Sequence, residues 1–267
     1  MNKITTAIIP VAGKGIRMNP VTKVIPKTML PINNIPCIQY LLEEAYSEGI
    51  TNFIIVLNSN QKIIIDYLDI TNIDNTHNGY KELIKLISNI NITYIYQDES
   101  LGLADAIYKA KDYISKDEYF SILLGDDLFF SSFNIYGIGS LIKQYAKNNA
   151  CYVGIKKVKR KETEKYGIVK IDKDSRILNI VEKPKDNPPS NKACVGRYIL
   201  NYKIFDYIEK LKNKQDNVLF TDALKMYINE YNIYAKEIMG KRFDIGCLKD
   251  YVIANKELYK RKNKTLL

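Results

Sequence analysis

Tryptophan is absent from the chain, histidine occurs once, as His77, and the four cysteines, Cys37, Cys151, Cys194 and Cys247, stand far apart. Each scarcity excludes a chemistry. A single histidine in a polar run gives no basis for a histidine general base, and His77 reads as a surface residue. Cysteines without close pairing make neither a zinc site nor a redox dithiol and read as buried or idle thiols. No stretch approaches the roughly 18 apolar residues of a membrane-spanning helix, because Asn, Lys or Asp interrupts every isoleucine-rich run. Met1 to Pro10 lacks the apolar core and small-residue cleavage site of a secretory signal. These absences predict a soluble, cytoplasmic protein with no membrane partner.

What is present is globular in kind. The chain has 267 residues, 46% of them hydrophobic and 26% charged, enough to bury a core and far from the composition of disordered chains. Forty Lys and Arg against thirty Asp and Glu give a net charge of +10. Charge alone does not choose between nucleic acid, an acidic membrane surface and an anionic small substrate. The lysines, however, are mixed with Asp and Glu as on solvated faces, and no aromatic-basic platform or recognition helix accompanies them, so no nucleic-acid partner is expected. The basic run Lys256 to Lys264 around Tyr259 reads as a helix end.

Along the chain, short apolar runs alternate with helical patterns. Thr6 to Val11, Asn52 to Leu57, Ile92 to Tyr96 and Tyr119 to Leu124 read as strands. Helices are predicted from Pro36 to Gly49 and over Asn60 to Leu68, Tyr80 to Ile90 and Leu103 to Ile114. The alternation predicts an α/β fold, a Rossmann-like, mostly parallel sheet flanked by helices. After residue 150 strands dominate, at Cys151 to Val158, Gly167 to Ile171, Ile177 to Val181 and Ala193 to Leu200, with a hairpin turn at Asp172 to Ser175. Helices then follow at Tyr202 to Leu211, Thr221 to Tyr231 and Cys247 to Tyr259. The expectation is a single domain over 1–267, divided into parts 1–150, 151–246 and a C-terminal helix 247–267.

The densest constellation follows the first strand: Gly13, Gly15, Arg17, Pro20, Thr22, Lys23, Pro26, Lys27 and Leu30-Pro31. Glycines expose backbone NH groups that can cradle phosphate, and Arg17 and Lys27 add charge that persists near neutrality. Gly13 and Gly15 do not extend to the dinucleotide fingerprint, because Met18 stands where a third glycine would fall, nor to a P-loop. Asp126 lies just beyond a predicted strand, so its carboxylate emerges at the carboxyl edge of the sheet, where α/β proteins bind ligands. Taken alone, Asp126-Asp127 also suits an Asx-capped turn.

As a whole, G-x-G-x-R-x-x-P-x-T-K-x-x-P-K-x-x-L-P-I resembles the signature of the sugar nucleotidyltransferases. The resemblance continues in order through Gln97 with Gly102-Leu103, Leu124 to Asp127, Tyr166 to Val169, Val181 to Pro184, Ser190 to Leu200, Thr221 to Ala223 and Phe243 to Gly246. The Val181 to Pro184 and Ser190 to Leu200 blocks look most like the bacterial UTP:glucose-1-phosphate uridylyltransferase branch. So does the insertion at Asp66 to Asn91.

The resemblance implies attack of a sugar 1-phosphate oxygen on the α-phosphorus of a nucleoside triphosphate, with UTP and glucose 1-phosphate as substrates and Mg2+ as cofactor. It implies Arg17 and Lys27 as the catalytic cations, Asp126 as main metal ligand and Asp244 as a second. Ala12, Gly13, Gly15, Gln97 and Gly102, together with Asp126, would meet the nucleotide, with Gln97 reading the base edge. Lys183 would grip the sugar phosphate, Glu182 would accept from sugar hydroxyls, and Gly167 and Gly196 would admit the ring. Without the resemblance, Glu182-Lys183-Pro184 is an ordinary charged strand end. A homo-oligomer, dimer or tetramer, is implied as well, with the C-terminal helix a candidate for contacts.

The chain departs from the pattern at three places. Ile16 replaces the hydroxyl residue before the arginine, Thr28 replaces a glutamate, and Ala104-Asp105 stands where Gly-His is usual. They leave open another triphosphate such as dTTP, another sugar 1-phosphate, and a catalytically weak nucleotide-sugar-binding relative.

Overall fold

The computed structural model describes residues 3–71, 73, 78–99, 101–130, 137–215 and 217–264, with side chains to residue 260; His77 lies outside the described residues. The chain begins with β1 (Thr6–Pro10), a two-residue hairpin of β2 (Pro31–Ile32) and β3 (Ile35–Pro36), and α1 (Cys37–Tyr46). Next come β4 (Asn52–Leu57), α2 (Lys62–Leu68), α3 (Lys81–Ile87), β5 (Asn91–Tyr96), α4 (Gly102–Tyr108) and β6 (Tyr119–Leu123). β7 (Asp127–Phe130), α5 (Gly139–Asn148), β8 (Cys151–Lys157), β9 (Gly167–Ile171), β10 (Ile177–Glu182) and β11 (Lys192–Asn201) follow. The chain closes with α6 (Lys203–Lys212), α7 (Phe220–Glu230), β12 (Ile233–Glu237), β13 (Lys241–Asp244) and α8 (Leu248–Lys264).

One sheet of nine strands runs β10-β9-β11-β6-β1-β4-β5, with β8 against β11 and β12 against β8. Its centre, β6-β1-β4-β5, is parallel, and β11 joins it antiparallel to β6. The strands after residue 150 therefore continue the same sheet. Central strands are buried on both faces, which is why they read as unbroken apolar runs. In β1, Ala7 and Ile9 face one core with Leu41 and Leu42 of α1 and Leu141 of α5. Ile8 faces the other core, with Ile107 of α4, Ile204 of α6 and Leu224 of α7.

Three expected helices are shorter than their patterns. The segment predicted from Leu103 to Ile114 is helical to Tyr108 and then tightens to a 3-10 turn at Lys111–Tyr113, and the first turn of the Asn60 segment is 3-10 over Ser59–Gln61. α3 ends at Ile87. The C-terminal helix, in contrast, continues through the basic run to Lys264. β7, α5, β12, β13 and the β2-β3 hairpin were not expected. β7 and β13 are four residues each and begin with Asp127 and Lys241-Arg242, so neither shows the alternation that marks a strand.

β1 lies between β6 and β4, with the chain passing from β1 to β4 on one side and returning from β5 to β6 on the other. That split opens a crevice over the ends of β1 and β6, where ligands of open α/β sheets bind.

Candidate active site

The glycine loop leaves the carboxyl end of β1. Val11 and Ala12 both donate their amides to the Val56 carbonyl, at 2.8 and 3.0 Å, which fixes the start of the loop to β4. Gly15 takes φ 64°, the left-handed region, and a Cβ there would stand 3.1 Å from Thr22 Cγ2. Thr22 Oγ1 also donates to the Gly15 carbonyl at 2.9 Å, folding the loop back on itself. Short 3-10 turns at Ile16–Met18 and Lys27–Met29 then return Arg17 and Lys27 to the sheet edge. Ala12 and Gly13 line a recess of about 680 Å³ with Asn58, Gln61 and Asp98.

The carboxylates come from the other side of the crevice. In the β7-β13 pair, Asp127 lies opposite Asp244, and Ile245 N donates to the Asp126 carbonyl at 2.9 Å, so Asp126 and Asp244 are held together across a long stretch of chain. Lys27 Nζ stands 2.7 Å from Asp126 Oδ2. Arg17 donates to both Asp244 oxygens, at 2.9 and 3.3 Å, and its Nη2 lies 3.5 Å from Asp126 Oδ2. Burial pushes the Asp126 carboxyl up, but Lys27, Arg17 and Arg242 outweigh it and hold the group below the usual carboxylate range. Arg17 is opposed by burial and supported by Asp244 and Asp126, and its guanidinium is held more firmly charged than usual.

A cleft of about 570 Å³ opens from this cluster, lined by Arg17, Asp126 and Asp244 on one side and Gly167, Glu182, Lys183 and Gly196 on the other. Gly196 sits at φ 46° in the irregular stretch of β11 between Cys194 and Tyr198. A Cβ on it would fall 2.5 Å from Asp127 Oδ2, so only glycine leaves that carboxylate its place. A Cβ at Gly167 would approach Glu182 Oε2 to 3.2 Å. Lys183 has φ 43°, a left-handed conformation unusual for a long side chain. Its amide donates to the Tyr166 carbonyl at 3.0 Å, and its ammonium lies 3.6 Å from Glu182. Such strain, held by the surroundings, gathers at ligand sites.

The expected site residues thus fall into three groups. Arg17, Lys27, Asp126 and Asp244 meet in one ion-pair cluster; Gly102, Gly167, Glu182, Lys183 and Gly196 line the cleft; Ala12 and Gly13 line the adjoining recess, with Gly15 shaping the loop behind it. Gln97 is buried beneath Gly102, its Nε2 donating to the Gly102 carbonyl at 3.0 Å.

Arg242 was not foreseen. Its Nη2 lies 2.5 Å from Asp127 Oδ1, and its guanidinium rests 4.8 Å from the centre of the Tyr166 ring. Residues two apart on a strand share a face, so Arg242 would have followed from Asp244 had β13 been legible. Asp127 itself is pushed up to about 6, chiefly by burial, with Asp126 and Asp244 adding to it against Arg242. The fold therefore favours the protonated form. Between the ordinary carboxylate value of about 4 and this raised value, the folded state binds more protons, and this group's contribution to stability falls as pH rises. Asp127→Asn removes that fall. The stability of the variant relative to the parent is expected to increase from pH 4 to pH 6 and then level off; a flat difference in urea unfolding across that window would exclude the shift.

Asp126 and Asp244 suit a divalent cation. Both carboxylates are turned to one point, where Arg17 neutralises them together. Among the described residues no group of three or more His, Cys, Asp or Glu forms a metal cluster. A hard cation here would draw its remaining oxygens from phosphate and water, the usual pattern for magnesium.

Paired carboxylates beside two cations, at the carboxyl edge of a parallel sheet and under a glycine loop, define an α/β protein that handles phosphate-bearing ligands. A model of the nucleotidyl transferase family matches residues 6–261, and the chain belongs to that family. It is 37% identical over 261 residues to the UTP–glucose-1-phosphate uridylyltransferase of Bacillus subtilis (strain 168), spanning 92% of this chain and 88% of that protein. The solved structure of apo UDP-glucose pyrophosphorylase superposes with a TM-score of 0.90 at 33% identity, covering 97% of this chain and 99% of that one. A UDP-glucose pyrophosphorylase complexed with UDP-glucose gives 0.88, with the same identity and coverage. Among the described residues, no helix is long and apolar enough to cross a membrane.

Proposed function

We propose that the chain transfers a uridylyl group from UTP to glucose 1-phosphate. An oxygen of the sugar phosphate attacks the α-phosphorus, the bond from that phosphorus to the bridging β-phosphate oxygen breaks, and pyrophosphate leaves with UDP-glucose as the other product. The observation that carries this reading is the junction of Arg17, Lys27, Asp126 and Asp244 between the glycine-loop recess and the cleft of Glu182 and Lys183. A nucleotide in the first and a sugar phosphate in the second would meet at that cluster. The names of the relatives support the choice of substrates.

Each residue has a task in this reaction. Lys27 and Arg17 neutralise the triphosphate and the charge that grows on the departing pyrophosphate. Arg17, with 58% of its side chain exposed, is free to turn from Asp244 toward phosphate, whereas Lys27 is mostly buried. Asp126 and Asp244 would hold magnesium, which when bound supplies further charge neutralisation between the phosphates. Lys183 grips the sugar phosphate, and Glu182 accepts from its hydroxyls. No covalent intermediate is needed, so rate comes from alignment and charge.

In this assignment residues 1–150 hold the nucleotide and 151–246 the sugar phosphate. The outward Leu248, Val252 and Tyr259 of α8 are the surface for a homo-oligomer, and the four free thiols fit a cytoplasmic location.

The test is pyrophosphate release with magnesium and glucose 1-phosphate against UTP, dTTP, CTP, ATP and GTP in parallel. Release with UTP is the expected result. Release with a different triphosphate keeps the reaction and overturns the nucleotide; silence with all five overturns the activity in favour of a binding protein. Lys183→Ala is expected to raise the KM for glucose 1-phosphate about tenfold with a smaller change in kcat. An unchanged KM would remove Lys183 from the sugar-phosphate site.

A further inference from the structure

Asp105 of α4 has 4% of its side chain exposed, so its carboxylate needs partners inside the fold. It has two. Lys212, the last residue of α6, pairs with Oδ1, and Gln97 Nε2 donates to Oδ2 at 2.8 Å. Burial pushes the carboxyl up, but the hydrogen bonds from Lys212 and Gln97 outweigh it and hold the group below its ordinary range. Both partners lead to the wall of the cleft. The same Gln97 Nε2 donates to the Gly102 carbonyl at 3.0 Å, at the turn into α4, and Gly102 and Leu103 line the cleft. From Lys212 the chain leaves α6 under three bonds: Asn213 N to the Glu209 carbonyl at 3.0 Å, and Lys214 N and Gln215 N to the Leu211 carbonyl at 2.9 and 3.1 Å. It then reaches Val218 to Thr221, which line the cleft as well. The two segments meet there, since Gly102 takes φ 88° and a Cβ on it would stand 3.8 Å from the Val218 carbonyl oxygen. A second pair between the same elements, Lys111 to Glu209 at 2.8 Å, touches neither Gln97 nor Gly102.

We propose that Asp105 and Lys212 are positioning residues: their buried pair fixes the Gly102 turn against the Val218 to Thr221 segment, and with it the width of the cleft on the side that holds the nucleotide. The inference rests on the proposed function for the identity of that ligand. Apolar packing of α4 on α6 carries no direction of its own, whereas a hydrogen-bonded ion pair holds its atoms at one distance and angle. Without the pair the two segments can slide apart. A wider wall weakens contacts to the ligand equally before and during the reaction, so binding suffers while turnover of the bound complex does not.

Steady-state pyrophosphate release by the full chain tests this in the Asp105→Asn, Lys212→Met, Lys212→Arg and Lys111→Met variants, with thermal unfolding measured on the same preparations. Asp105→Asn and Lys212→Met are expected to raise the KM for UTP about tenfold and to leave kcat near that of the parent. A general loss of folded protein would do the reverse, lowering kcat at constant KM. Lys212→Arg, which keeps the cation, and Lys111→Met, which breaks the other pair between the same elements, are expected to keep the parent KM. Were the buried Asp105→Asn variant not to fold, Lys212→Met carries the test, since the Lys212 side chain is 30% exposed. An unchanged KM for UTP in folded Lys212→Met, or an equal rise in Lys111→Met, overturns the positioning role. Absence of pyrophosphate release by the parent with UTP overturns instead the functional reading beneath it, and is seen before any variant is made.

Discussion

Asp126→Asn lowers turnover with UTP and glucose 1-phosphate by about 10²-fold or more, the size commonly lost when an oriented charge at a phosphoryl-transfer site is removed. The substitution keeps shape and takes away the charge. In the parent, Lys27 lies 2.7 Å from the carboxylate and Arg17 3.5 Å from it, so two cations are brought together by a shared anion. With an amide in its place, Lys27 and Arg17 repel each other, the cation pair is no longer aimed at the crevice, and one of two carboxylates suited to magnesium is gone. The fold should survive, because Asp126 follows β6 rather than lying within it and its side chain is partly open to the cleft. Pyrophosphate release and thermal unfolding, measured on one preparation, separate the two effects. Near-normal turnover in a folded variant would take Asp126 out of the site.

Arg197→Met is expected to act in the opposite sense, with a large loss of stability. The Arg197 guanidinium is fully buried in β11. It meets Glu44 of α1 with two bonds, Nε to Oε1 at 2.6 Å and Nη2 to Oε2 at 2.7 Å. It also donates to the carbonyls of Asp127 at 2.7 Å and Gly196 at 3.0 Å, and rests 4.9 Å from the centre of the Phe129 ring. Glu44 in turn accepts from Ile138 N at 2.7 Å. Removing the arginine leaves a buried carboxylate with no cation and takes a donor from the Asp127 and Gly196 carbonyls, of which Gly196 keeps Leu124 N at 2.8 Å, a change that costs about 3–5 kcal/mol. Urea unfolding checks it; a loss below about 1 kcal/mol, the scale of an exposed pair, would mean that water or a rearrangement replaces the arginine. The double variant Glu44→Met with Arg197→Met should lose less than the single one, since two apolar side chains leave no unpaired charge. Two of the carbonyls that Arg197 holds belong to cleft residues, so the pair also joins the core to the site.

The departures from the family pattern have distinct physical settings. Thr28 is fully buried, and its Cγ2 packs where a Cβ on Gly125 would come within 2.8 Å, beneath the turn that presents Asp126. Ile16 is exposed on the rim of the glycine-loop recess. Asp105 is an internal partner of Gln97. None of them removes a side chain from the Arg17, Lys27, Asp126 and Asp244 cluster.

The sequence by itself determined the parallel centre of the sheet, because a strand buried on both faces, as β4 is from Phe53 to Leu57, must be apolar wherever it is buried. It also marked the glycine loop, the proline-punctuated return that carries Lys27, and the block containing Asp126, since these are runs of consecutive residues with their meaning in their spacing. The tertiary structure decided which charges meet. Arg17 and Asp244 are 227 positions apart, Glu44 and Arg197 are 153 apart, and Arg242 reaches Asp127 only because two four-residue strands pair in register. Such short, charged strands carry no periodic signal of their own. Their pairing depends on the free energy of the whole sheet and core, and so does the choice of partner for every buried charge.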